Sequence, residues 1–139
     1  MQVRIAGTDA EIRACYPVMA ELRPHVTATE FVDRVRRQSV QGYSIAFVED
    51  AGEIQAVAGF RLMENLSSGL HVYVDDLVTR AAARSHGHGR VLLEWLLAHA
   101  RAQGCQALEL DSGVQRFDAH RFYFRERLSI KSYHFALAL

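Results

Sequence analysis

Asp76-Leu77-Val78-Thr79-Arg80-Ala81-Ala82-Ala83-Arg84-Ser85-His86-Gly87-His88-Gly89-Arg90 is the stretch on which the reading of this chain turns. A strand-like apolar run passes into a loop with two glycines and then directly into the best amphipathic helix of the sequence. In that helix, Gly87 to Gln103, Leu92, Leu93, Leu96, Leu97 and Ala100 form one stripe, Trp95 widens it, and Gly104 supplies a left-handed stop. A helix start presents unpaired N–H groups and a partial positive charge, so an anion can rest there. Gly87 and Gly89 keep side chains out of a phosphate's way, and Arg84 and Arg90 bracket the turn with fixed positive charge. The pattern suits a pyrophosphate cradle, although the same glycines could simply shape a strand-to-helix turn. A Walker loop is excluded, because no Gly-Lys-Ser/Thr follows. A dinucleotide fingerprint is excluded by the lack of Gly-x-Gly-x-x-Gly and of successive βαβ units.

Working outward, Val3 to Ala6 reads as a short strand. Thr8 or Asp9 then caps a helix whose apolar positions Ile12, Cys15, Tyr16, Met19 and Leu22 recur at three and four residues before Pro24. Thr27 with Glu30 three residues on forms a capping box for a second helix, which carries Arg34, Arg36 and Arg37 on one side and ends at Gly42. Tyr43 to Val48 and Ile54 to Met63 make a hairpin around Asp50 to Glu53, and Leu70 to Thr79 is a third long strand. Beyond the long helix come a strand at Cys105 to Asp111, a short helix from Asp118 to about Arg127 and a last strand at Ile130 to Leu137. The order β-α-α-β-β-β-α-β-α-β predicts one mixed α/β domain over residues 1–139.

The 139 residues are half apolar, with 16 basic and 16 acidic side chains, so no overall field points to nucleic acid or an anionic membrane. No apolar run approaches a membrane span and the first residues do not resemble an export signal. Cys15 and Cys105 share no metal or redox spacing and read as two reduced thiols. The expectation is a soluble cytoplasmic protein. Of the seven histidines, His86 and His88 face phosphate or solvent in this reading, and no acid- or Cys-rich cluster accompanies them, so no metal site is predicted.

Arg84-Ser85-His86-Gly87-His88-Gly89 matches, at every defined position, the Arg/Gln-x-x-Gly-x-Gly/Ala signature of the GNAT acetyltransferases. Ala119-His120-Arg121-Phe122-Tyr123 resembles the Ala-x-x-Phe-Tyr helix of the same family, and the order of elements agrees along essentially the whole chain. Two departures stand out. Arg116 occupies a position where many relatives have asparagine, and Arg125 to Ser129 lacks the glycine that often closes the second motif's helix, so the loop after Leu128 is expected to be less regular.

The resemblance implies a mostly antiparallel sheet splayed between its fourth and fifth strands, and an acetyl-CoA-dependent N-acetyltransferase acting by direct attack of an amine. Residues 84 to 90 would hold the diphosphate, and the backbone of Leu77, Val78 and Thr79 would bond the pantetheine arm and the oxyanion. Tyr123 matches the tyrosine that protonates or hydrogen-bonds the leaving thiolate; from the residues alone it could equally be a core aromatic beside Phe122 and Phe124. Asp76 is the candidate base or amine anchor, with Asp75 and Glu64 as alternatives and a water chain to solvent as a replacement for all three. Strand alternation sends Asp75 and Asp76 to opposite faces. The partners implied are acetyl-CoA and an amine acceptor, and a homodimer is open because relatives often dimerise. An acyl-CoA-binding sensor without turnover is the competing function.

Overall fold

In the computed structural model, which describes residues 1–139, the polypeptide divides into two compact units, 1–109 and 110–139. The first holds β1 (Gln2–Ile5), α1 (Asp9–Leu22), α2 (Ala28–Ser39), β2 (Tyr43–Asp50), β3 (Glu53–Asn65), β4 (Gly69–Thr79), a single 3-10 turn at Ala81–Ala83 and α3 (His88–Ala102). Next comes β5 (Ala107–Leu110), and then α4 (Phe117–Arg125) in the second unit. The expected mixed α/β architecture is present, in the predicted order through α4.

The strands lie in the order β1-β2-β3-β4-β5, antiparallel from β1 to β4, with β4 and β5 parallel. Alternation builds two cores. Tyr43, Ile45, Phe47, Val57 and Val78 pack with Ile12, Cys15, Met19, Phe31 and Val35 of α1 and α2. On the other side of the sheet Phe60 meets Trp95 and His99 of α3 edge-on, and His99 stacks on Trp95 at 5.1 Å. Leu92, Leu93 and Leu96 are completely enclosed, as the apolar stripe requires.

The helix starts differ from the sequence reading in one respect. The reciprocal capping box belongs to α1, where Thr8 accepts from the Glu11 N–H and Glu11 reaches back to the Thr8 N–H. Thr27 begins α2 without a side-chain cap, because its hydroxyl donates to the Glu30 carboxylate (2.9 Å), whose other oxygen is held by Arg34.

In the second unit α4 ends in a Schellman turn: the Leu128 N–H donates to Tyr123 O (2.9 Å) and the Arg127 N–H to Phe124 O (3.0 Å). Arg127 takes the left-handed position at φ 68°, an arginine where glycine would fit at less cost, so the helix end is regular without the family's glycine, while the loop after Leu128 carries no regular structure, as expected. The predicted strand over Ile130–Leu137 does not form. That segment is neither helix nor strand and is exposed throughout. Its alternating pattern supplies one face of a strand, but a strand also needs a neighbouring ladder, and no strand lies wholly within residues 110–139.

Candidate active site

The loop after β4 is shaped by its backbone. Ser85 and Gly87 both lie in the left-handed region, at φ 67° and 85°, and Gly87 begins α3 with no side chain capping it. Gly87 itself offers no side chain to accept from the first-turn N–H groups, which leaves room for an anion at the helix start. Arg84 is exposed beside them; Arg90 is also exposed and donates to Glu94 one turn on (2.9 Å). These features fit a diphosphate. His88 departs from expectation. The residue is 5% exposed and its ring is turned inward, with Nδ1 3.2 Å from Ala83 O and Nε2 2.9 Å from the Asp50 carboxylate, so only its main chain is available to a phosphate. That His88 contact holds the Asp50 carboxyl below its ordinary range against a small opposing effect of burial. His86, more exposed, also approaches Ala83 O (3.2 Å). From below, Glu21 of α1 accepts from the Ala81 N–H (2.8 Å).

The second feature of the first unit is a cavity of about 270 Å³ between α1, α2, β2 and β4. Asp75 and Asp76 both line it, with Tyr73, contrary to the opposite faces that alternation predicts. The cause is a β-bulge. Gly59 pairs with Asp76, yet Phe60 pairs with Val74, so Asp75 is an extra residue in β4. Before the bulge, Tyr73 and Asp75 point toward α1 and α2; after it, Asp76 and Val78 do.

Asp76 is the junction of this pocket. It accepts from Tyr43 Oη (2.6 Å) and from Arg23 Nε (2.8 Å), and Arg23 Nη2 also donates to Asp75 O (2.8 Å). The Tyr43–Asp76 bond passes over Gly59, where an added Cβ would overlap both the phenol and the carboxylate. Burial, reinforced by the Asp76 charge, pushes the Tyr43 phenol far above its ordinary pKa, so it stays a donor. Asp75 forms a close pair with Arg61, whose Nε lies 3.1 and 3.0 Å from its two oxygens. Burial nonetheless raises the Asp75 carboxyl above its usual value, with Arg61 opposing. Glu64, the remaining acidic candidate, is exposed near the end of β3 and does not line the cavity.

Tyr43, Arg23, Arg61 and Gly59 were not singled out in the sequence. A lone glycine inside a strand pattern signals a close backbone approach, and Gly59 is that signal here. In the second unit, Tyr123 sits on α4, where burial raises its phenol and nearby Arg116 opposes the shift. Arg116, the residue that departs from the family's asparagine, thus acts on the predicted acid. No group of three or more His, Cys, Asp or Glu is placed to hold a metal ion, and no helix is long and apolar enough to cross a membrane.

A bulged β4, an uncapped helix start behind a left-handed turn and a polar cavity beside the strand together describe an acyltransferase. The model of the Acetyltransferase (GNAT) family matches residues 9–128, and the chain belongs to that family. It is 34% identical over 122 residues to the uncharacterized N-acetyltransferase YhdJ of Bacillus subtilis (strain 168), covering 86% of each chain. A shorter match, 36% over 66 residues, links 48% of this chain to 43% of the aminoalkylphosphonate N-acetyltransferase of Salmonella typhimurium. In fold it is similar to the aminoglycoside N-acetyltransferase AAC(6')-Iy in complex with CoA, with a TM-score of 0.86 at 9% identity over 99% of this chain and 95% of that one. The protein is an acetyl-transferring enzyme, of a family that uses acetyl-CoA.

Proposed function

We propose that the chain transfers the acetyl group of acetyl-CoA directly to a primary amine, without a covalent enzyme intermediate. The observation that carries this reading is the start of α3, where positive φ at Ser85 and Gly87 turns the chain into a helix whose N-cap glycine leaves its first turn open to an anion. Residues 84 to 90 would hold the diphosphate, His88 through its main chain. The backbone of Leu77, Val78 and Thr79 would follow the pantetheine arm and supply the oxyanion donor. The neutral amine nitrogen attacks the thioester carbonyl and loses a proton to solvent water, the C–S bond breaks, and Tyr123 would protonate or hydrogen-bond the departing sulfur. Of the two roles open to Asp76, amine anchor suits its surroundings better. Each of its oxygens already accepts a hydrogen bond, one of them from a guanidinium, so the carboxylate is held in place as a fixed acceptor. The aminoalkylphosphonate enzyme among the relatives points, by its name, to small amines as acceptors worth testing.

Calorimetric titration with acetyl-CoA, paired with amine-stimulated thiol release, tests the proposal. Gly87→Val is expected to raise the acetyl-CoA Kd about tenfold, because a branched residue is strained at φ 85°. Tyr123→Phe is expected to slow transfer about 10- to 100-fold while leaving that Kd nearly unchanged. Tight acetyl-CoA binding with no thiol release for any amine would make the chain an acyl-CoA sensor.

A further inference from the structure

We propose that the cavity between α1, α2 and β4 accepts a small primary amine that also carries an anionic group. Its ammonium end lies at Asp75 and Asp76 and its anionic end at Arg34 and His25. This inference rests on the reading of the chain as an amine acetyltransferase, and it names the acceptor's class.

The first ground is size. At about 270 Å³ the cavity falls just under the usual range of small-molecule sites, roughly 300–1,000 Å³. The second is the separation of charge across it. The carboxylates stand on the β4 side, next to the Leu77–Thr79 backbone, while Arg34 and His25 line the α2 side and the α1–α2 connection. Met19, Val26, Phe31 and Val35 also line the cavity and suit a short methylene spacer. Arg34 gives one guanidinium nitrogen to Glu30 (2.8 Å), a residue outside the cavity lining, and its remaining donors meet no protein acceptor.

The third ground is the charge balance. Asp76 is already matched by Arg23 and Asp75 by Arg61, so the pocket does not offer the surplus negative charge that would favour a polycation. A purely cationic acceptor would enter beside Arg23 and Arg34 without a counter-charge of its own. An amine carrying its own anion still finds acceptor positions on the two carboxylates, since a carboxylate has about four. It also brings acceptors for the Arg34 nitrogens that Glu30 leaves open.

The test measures thiol release by the full chain at saturating acetyl-CoA. The acceptors are aminoethylphosphonate and β-alanine, with ethylamine as the neutral-tailed counterpart and spermidine as the polycation. A preferred anionic amine should exceed ethylamine in kcat/KM by about 10- to 100-fold, and the phosphonate and carboxylate arms show which anion is read. Arg34→Gln should reduce that ratio about tenfold, and Arg34→Lys should restore part of it. Preference for ethylamine or spermidine, or a ratio untouched by Arg34→Gln, overturns the inference and leaves acetyl transfer standing. Acetyl-CoA binding with no release for any amine overturns both.

Discussion

At Gly59 the absence of a side chain lets a buried phenol reach a carboxylate across a strand, and this one position organises the pocket. Gly59→Ala is expected to cost about 1–3 kcal/mol of stability by denaturant titration, since the new methyl must displace the Tyr43–Asp76 bond. A variant as stable as the parent would mean that the phenol and carboxylate can part without cost. Residues of this kind were hard to read from the sequence. Tyr43 is 33 positions from Asp76 and Arg23 is 53 away, and only the assembled sheet and helices bring them together. The strand-to-helix turn from Arg84 to Gly89 was legible because its signals are local: spacing, glycine and a helix start are all written within a few residues.

Among the elements, the strands and long helices were legible because period-two and period-3.6 patterns are strong in this chain, and two failures have definite causes. The bulge in β4 inserts one residue without any compositional mark, so alternation misassigned Asp75 and Asp76. The last strand failed because its pattern was present and its partner was not. The end of α4 gives a further test. Arg127 sits at φ 68° in a regular Schellman turn, so Arg127→Gly is expected to stabilise the protein by about 1 kcal/mol in thermal or chemical unfolding. Unchanged or lower stability would show that the arginine side chain contributes more than its backbone costs.

Across the whole molecule every buried residue belongs to the first unit, and residues 110–139 contain none. Amides in Tyr43–Val48 and Ala56–Phe60 should therefore exchange with deuterium most slowly and those beyond Ser129 fastest, as mass spectrometry can read by segment. Comparable protection in the two regions would indicate that the tail is covered in solution. The contact of His88 with Asp50 and Ala83 joins the turn between β2 and β3 to the head of α3. That side chain ties the curve of the loop to the end of β2. Capturing a diphosphate there would be a docking event on a finished surface, not a moulding of slack chain around its guest.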